Sequence, residues 1–229
     1  MEKPSKEGKG AIALKIAEAG ISAIPVVGGP LAVLSEFLAE PYSRRQQSWL
    51  EQLAGVVSEL QDRVSDLSKP LDDNQQFLTA VLHANQIAMR THQEEKLRAL
   101  RNAVRNSALK SGPDDDRQLI FLRFIDELTV SHIRVLAVFD DPVAVVAAAG
   151  KQFQILGGGL HLLLFHCVPE LNGQGHFCEQ LCRDLENRGL IAQGTKLNVM
   201  MTPQGMLTPR TTDLGKQFLA FAASKRRAE

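Results

Sequence analysis

Six residues with metal-binding chemistry cluster late in the chain. They are His161, His166, Cys167, His176, Cys178 and Cys182. On a helix, Cys178 and Cys182 would face the same side, because residues four positions apart are neighbours there. Structural zinc needs four ligands, usually supplied as two tight pairs, and a second pair would have to be assembled from the scattered histidines. Small cysteines also pack well in helical cores. We therefore expect core packing, with no metal and no cofactor.

Motifs typical of enzymes are missing from the sequence. It contains no nucleophile elbow, no phosphate-binding loop and no dinucleotide fingerprint. His92 precedes Gln-Glu-Glu-Lys, so it does not begin a zinc-protease HExxH motif. The three aspartates at 114–116 suit the first turn of a helix, where the helix dipole favours negative charge. The sequence predicts a protein that is not an enzyme.

Composition narrows the class of protein further. The 229 residues carry 26 basic and 26 acidic side chains, so the basic excess usual in nucleic-acid binders is absent. The hydrophobic fraction of 44% is typical of a folded chain. Three cysteines make no disulfide framework, and the N-terminal segment lacks the pattern of a secretory signal. We expect a cytoplasmic protein.

Residues 10–38 form the least polar stretch of the chain. No charged residue lies between Glu18 and Glu36. Pro25, Gly28-Gly29 and Pro30 interrupt this stretch and favour a turn, so it predicts a helical hairpin with arms at about 10–23 and 31–39. The hairpin is either buried core or an element that acts on a membrane when released, becoming membrane-associated on activation. The membrane-active candidates are Ile12, Ile16, Ile21, Ile24, Val26, Val27, Gly28, Gly29, Leu31 and Leu34.

The clearest periodic signal follows in residues 44–69. Apolar side chains recur there at alternating steps of three and four residues, at Leu50, Leu53, Val57, Leu60, Val64 and Leu67. This heptad spacing predicts one helix ending before Pro70. Its apolar seam is a candidate surface for self-association, or for packing within a bundle. Further helices are expected at about 74–109 and 114–128, capped at Asp72 or Asp73 and at Asp114–Asp116. Thr129 or Ser131 can cap a short helix through Phe139, and Asp141 before Pro142 predicts the start of another.

The C-terminal part has the order of elements of a winged helix. A helix at about 176–188 ends on Gly189, short strands are expected at 190–193 and 197–202, and a closing helix begins near Thr211. Residues 130–222 resemble bacterial winged-helix domains in this order. The expected fold is mainly α, with an apolar hairpin (1–41), a helical bundle (42–128) and a winged-helix-like α+β module (129–229).

A winged helix suggests a DNA-binding transcriptional regulator as one function. The cations available for phosphate contacts are Arg183, Arg188, Lys196 and Arg210. The helix that would enter the DNA groove, at about 176–188, also carries Glu179, Asp184 and Glu186, which phosphates repel. Nucleic acid is therefore an alternative partner, and a protein partner or a second copy of the chain is the first expectation.

Four features resemble the Abi-alpha-type proteins of bacterial abortive infection. They are the Ile-Pro-x-x-Gly-Gly-Pro segment at Ile24–Pro30, the heptad helix after it, the apolar pattern at Phe121–Leu136 and the Thr-x-Leu-Gly-x-x-Phe pattern at Thr212–Phe218. The resemblance implies a role in phage defence and supplies no catalytic residues. Together with the hairpin and the seam, it suggests a non-enzymatic effector or sensor that recognises a partner with its C-terminal half and acts on a membrane.

Overall fold

The computed structural model describes residues 30–150 and 157–223, with side chains from residue 41 onward. Within these ranges ten α-helices and two short 3-10 turns form. The helices are α1 (Pro30–Gln61), α2 (Gln75–Arg90), α3 (Glu94–Ser107), α4 (Asp115–Glu127), α5 (Val130–Asp140), α6 (Pro142–Ala148), α7 (Leu160–Cys167), α8 (Gly175–Asn187), α9 (Pro203–Met206) and α10 (Asp213–Ala222). The chain divides into two compact units, Met1–Arg123 and Phe124–Glu229, called here the N-terminal and C-terminal units.

The predicted winged-helix-like α+β module is wrong. Neither expected strand forms, and the part of the chain that the structure describes is helical without any β-strand. A two-stranded wing requires its strands to pair with each other. Here Ile191 instead makes an isolated bridge to Thr211, and Met201 makes one to Gly158. The two segments expected to pair as strands, 190–193 and 197–202, thus bridge to Thr211 and Gly158 and not to each other.

The N-terminal unit contains a bundle in which α1, α2 and α3 pack pairwise on one another, as the predicted helical bundle requires. The helices expected at 31–39 and 44–69 are not separate, because α1 runs through Pro41 as one helix of 32 residues. Proline lacks a backbone N–H, so it cannot donate the usual helical hydrogen bond. The loss of this hydrogen bond at Pro41 does not end the helix. The helix stops at Gln61, short of the expected residue 69, and a 3-10 turn follows at Val64–Asp66.

The single helix expected at 74–109 is two helices. Thr91 is extended at the end of α2, and its hydroxyl accepts the backbone N–H of Gln93 at 3.2 Å, just before α3 begins. The cap of α2 also differs from the expectation. Asn74, and neither Asp72 nor Asp73, accepts the N–H of Phe77 at 3.0 Å. A short polar side chain at this position satisfies a donor that the first turn leaves free.

The C-terminal unit is organised around α5, which packs on α6, α7, α8 and α10. Thr129 caps α5 in a reciprocal capping box with His132, and Asp141 with Pro142 starts α6, as the sequence predicts. The buried apolar side chains of α5 are Val135, Leu136, Val138 and Phe139. The helix predicted at 176–188 is present as α8, and it ends at Gly189 with a positive φ of 69°.

Candidate functional site

A groove in the C-terminal unit combines a cavity with charged side chains. It lies between one face of α8 and the loop that follows this helix, and its volume is about 370 Å³. The lining residues are Glu179, Cys182, Arg183, Glu186, Thr195, Lys196, Leu197, Asn198 and Val199. We call it the α8 groove.

The amphipathic pattern of α8 places the helix side of the groove. Cys178, Leu181, Cys182 and Leu185 are buried at positions i, i+3, i+4 and i+7, which is the spacing of one helix face. Glu179, Arg183 and Glu186 repeat with the same spacing on the neighbouring face, which borders the groove. Cys182 belongs to the buried face, also lines the groove and is only 3% exposed, so it forms part of the groove floor.

The loop side of the groove is held by hydrogen bonds at three successive places. The N–H of Thr195 donates to Oε1 of Glu186 at 2.6 Å. The side-chain amide of Asn198 donates to Oε1 of Glu179 at 2.7 Å. The carbonyl of Leu197 lies 3.1 Å from Nδ1 of His161 and accepts the backbone N–H of the same histidine at 3.3 Å. Helices α7 and α8 therefore fix the loop from two directions.

A glycine at the start of α7 permits this close approach. A Cβ atom placed on Gly159 would overlap the carbonyl oxygen of Leu197 and would come within 2.7 Å of Nδ1 of His161. The backbone angles of Gly159 are ordinary for any residue, with φ −86° and ψ 160°. Glycine is needed here because of space and not because of conformation.

The charges of the groove differ in how they are used. Both carboxylates already accept hydrogen bonds from the loop, and Glu179 also lies 3.7 Å from Nδ1 of the exposed His176. Arg183 and Lys196 are exposed, and neither makes a hydrogen bond or ion pair within residues 41–150 and 157–223. The groove thus offers two cations whose donors are available to a bound group.

The thiols of the C-terminal unit are not poised for nucleophilic chemistry. Burial raises the pKa of Cys182 to about 12 and that of Cys167 to about 11. Burial also raises the pKa of Cys178. The thiolate is the reactive form of cysteine, so at neutral pH these side chains behave as small apolar groups. The groove floor is accordingly apolar and unreactive.

The sequence-derived metal candidates do not converge. The ring of His161 is engaged with Leu197, and His176 stands in solvent at the start of α8. In the part of the chain described by the structure, no three His, Cys, Asp or Glu side chains are placed to hold one metal ion.

The four candidate DNA-contacting cations fall into two pairs. Arg183 and Lys196 line the groove. Arg188 donates to Glu127 at 3.2 Å and to the carbonyl of Asp184 at 3.2 Å. Arg210 donates to the carbonyls of Gly205 at 2.6 Å and Thr208, and burial lowers its pKa. Two of the four cations therefore stabilise the unit itself.

The predicted self-association seam lies largely inside the N-terminal unit. Four of its side chains are buried, namely Leu53, Val57, Leu60 and Leu67. Leu50 is half-buried, and Val64 is 69% exposed within the 3-10 turn after α1. Most of the seam therefore contributes to packing within the chain, and its use by a second copy stays a prediction.

The membrane-active candidates lie almost entirely outside the described residues. Those that do are Ile12, Ile16, Ile21, Ile24, Val26, Val27, Gly28 and Gly29. Leu31 and Leu34 belong to the first turns of α1, where only the backbone is described. Among the helices that the structure describes, none has both the length and the apolar character needed to cross a bilayer.

Sequence reasoning missed the loop side of the groove. Thr195, Leu197 and Asn198 carry no motif. Leu197 and Asn198 fall in the second predicted strand, and Thr195 lies between the two predicted strands. One signal was available, because Glu179 and Glu186 are seven residues apart on one face of a helix that the sequence predicts.

Comparison of the chain with protein-family models, curated proteins and solved structures gave no match.

Proposed function

We propose that this chain is a non-enzymatic effector or sensor of the bacterial defence type, acting from the cytoplasm. In this proposal the C-terminal unit recognises a protein partner, and the apolar segment 10–38 acts on a membrane. The observation that carries the proposal is the continuity of that segment with the core. The run between Glu18 and Glu36 contains no charge, and it leads into α1, whose later turns contribute the buried Trp49, Leu53 and Leu60.

This continuity gives the proposal a physical basis. An uncharged stretch of this length gains free energy by leaving water, either in a protein core or at the apolar boundary of a bilayer. Because its last residues belong to the same helix as the core of the N-terminal unit, a change in that unit would reach the segment directly. The resemblance to abortive-infection proteins is consistent with such an output.

A second-copy or protein partner agrees better with the charges than DNA does. Phosphate binding needs several cations on one surface, and it weakens steeply as salt displaces them. With Arg188 and Arg210 engaged inside the unit, only Arg183 and Lys196 remain of the four candidates. Nucleic-acid binding is therefore an outcome to be tested beside the proposal.

The test is co-sedimentation of the full chain with anionic liposomes, alongside dye leakage from the same vesicles. We expect binding and leakage, and we expect both to be lost when residues 10–29 are deleted or when Ile21→Asp and Val26→Asp are introduced. Val143→Asp is the matched control, because Val143 is an apolar side chain of the C-terminal unit that is 60% exposed. Equal lipid binding by all variants, or no binding by any, would contradict the proposal.

The same samples address the alternative. Electrophoretic mobility shifts with a random duplex at low salt should show no binding. A shift that Arg183→Glu and Lys196→Glu abolish, in a chain that does not bind liposomes, would support a DNA-binding regulator instead.

A further inference from the structure

We infer that the α8 groove binds a peptide segment of a partner protein in which an acidic side chain stands next to an apolar one. The inference rests on the proposed function and names the chemistry of its partner. Four features of the groove support it: two cations without a partner among the described residues, an apolar floor, an exposed apolar rim and a fixed loop.

The free hydrogen-bond donors of the groove favour an anion. Glu179 and Glu186 are hydrogen-bonded to the loop that closes the groove, so one oxygen of each carboxylate is already used within the unit. Arg183 and Lys196 face the same space without a partner among the described residues. A carboxylate entering the groove would supply the acceptors that these two donors lack, and charge-assisted hydrogen bonds are the stronger kind.

The floor and rim select an apolar neighbour for that anion. Cys182 and Leu197 are buried beneath the groove. Val199 is 45% exposed at its edge, and Met200, the next residue, is 78% exposed. Methionine side chains adapt to varied apolar partners and are common on peptide-binding surfaces. The exposed apolar surface therefore continues from the groove to its outside.

This extent favours a peptide over a small molecule. Small-molecule pockets enclose most of the surface of their ligand, whereas much of the apolar surface here lies at the edge, on Val199 and Met200. An extended chain can place one side chain in the groove and the next against the rim. A single small anion would leave Met200 uncovered.

The loop requires little ordering to accept such a peptide. Thr195, Leu197 and Asn198 are all held by hydrogen bonds to α7 or α8, and Met201 exchanges backbone hydrogen bonds with Gly158 at 2.9 and 3.0 Å. Binding sites that are formed in advance avoid the entropic cost of fixing a loop. The groove is therefore ready before a partner arrives.

The experiment is an array of nine-residue peptides probed with the full chain. Its three classes combine leucine or phenylalanine with glutamate, with lysine or with serine. We expect binding to the glutamate class alone. The strongest peptide of that class is then labelled with fluorescein and titrated by fluorescence anisotropy at low and moderate salt. Arg183→Glu and Lys196→Glu should each weaken binding at least ten-fold, and Arg183→Lys should restore most of it.

Lys216→Glu provides the matched control, since Lys216 is an exposed cation of the same unit on α10, away from the groove lining. It should bind like the wild type. The inference is overturned by no peptide binding, by equal binding of all classes, or by an equal loss in the control. It is also overturned if a duplex oligonucleotide binds in place of the peptide. Liposome binding without peptide binding would overturn this inference alone, whereas peptide binding without liposome binding would leave it standing and remove the membrane part of the proposed function.

Discussion

The backbone N–H of Thr195 donates to Oε1 of Glu186 at 2.6 Å, and this bond ties the loop of the α8 groove to the last turns of α8. It is short, and its acceptor is a half-buried carboxylate. Charge-assisted hydrogen bonds of this kind contribute more than neutral ones. The two residues thereby set the width of the groove at one end.

Glu186→Ala should loosen this end of the groove. The substitution leaves the N–H of Thr195 without its acceptor, and we expect a loss of about 1–3 kcal/mol in unfolding free energy. Urea unfolding and amide exchange at Thr195 measure the two effects. Glu179→Ala is the control, because its partner Asn198 is an exposed side chain. A loss in the control as large as that in Glu186→Ala would show that the bond to Thr195 is not special.

Gly159→Ala should displace the loop from α7. The added methyl group would overlap the carbonyl oxygen of Leu197, and overpacking of this kind costs about 1–3 kcal/mol. Thermal unfolding and peptide titration should both be affected. Gly175→Ala is matched, since nothing lies within 4 Å of a Cβ at Gly175. Unchanged stability in Gly159→Ala would mean that the loop shifts without cost.

Arg210→Lys should destabilise the C-terminal unit. The guanidinium reaches the carbonyls of Gly205 and Thr208 together, and a lysine ammonium cannot reproduce this fork. We expect a loss of about 1–3 kcal/mol in urea unfolding. Lys216 is an exposed cation on α10. The control Lys216→Ala should therefore change stability by less than about 0.5 kcal/mol. A neutral Arg210→Lys variant would contradict the structural role.

Stability should fall at alkaline pH because of Cys182. Its pKa is raised to about 12 by burial, compared with an ordinary value of 9.0. Above pH 9 the unfolded chain releases this proton while the folded chain keeps it, so the unfolding free energy decreases with a slope approaching about 1.4 kcal/mol per pH unit. Below pH 9 the contribution is complete.

The check is urea unfolding between pH 7 and pH 10.5. Cys182→Ala should show a shallower decline than the wild type over this range, although its stability at pH 7 is lower. Parallel curves for the two proteins would mean that the thiol is accessible to solvent. Slow reaction of the native chain with a thiol reagent at pH 8 should accompany the steeper curve.

Alanine substitution at two residues of the heptad seam should change stability to very different extents. Leu60 is fully buried, and Leu60→Ala should cost about 2–5 kcal/mol of stability. Val64 is 69% exposed, and Val64→Ala should change stability by less than about 0.5 kcal/mol. Light scattering after size-exclusion chromatography distinguishes the roles. A wild-type oligomer that becomes a folded monomer with Leu60→Ala would assign the seam to self-association.

Local signals predicted much of the helical structure. Helices α5 and α6 begin where the side chains of Thr129 and Asp141 accept a backbone N–H. Helix α8 ends at Gly189, which has a positive φ. The sequence predicted the breaks between helices less well. The apolar period continues on both sides of Thr91–Gln93, so the break between α2 and α3 gave no periodic signal.

The groove depended on contacts that no local pattern contains. The segment at 190–202 has the β-branched and apolar residues of strands, and this favoured a hairpin. Its backbone instead bridges to Gly158 and Thr211, while His161 and Glu186 hold it from outside. These partners lie at different distances along the chain, and only packing brings them together. For the same reason, Arg183 could be predicted as an exposed cation but not as one side of a cavity.

The bond between His161 and Leu197 joins residues 36 positions apart, whereas Thr195 and Glu186 are only 9 apart. Closing the shorter loop costs less entropy, so we expect the contact with α8 to form before the contact with α7. On this expectation the groove is completed only when the second contact forms. A chain still on its way to the native state would present α8 without its loop, so a partner that needs both sides would bind only molecules that have finished folding.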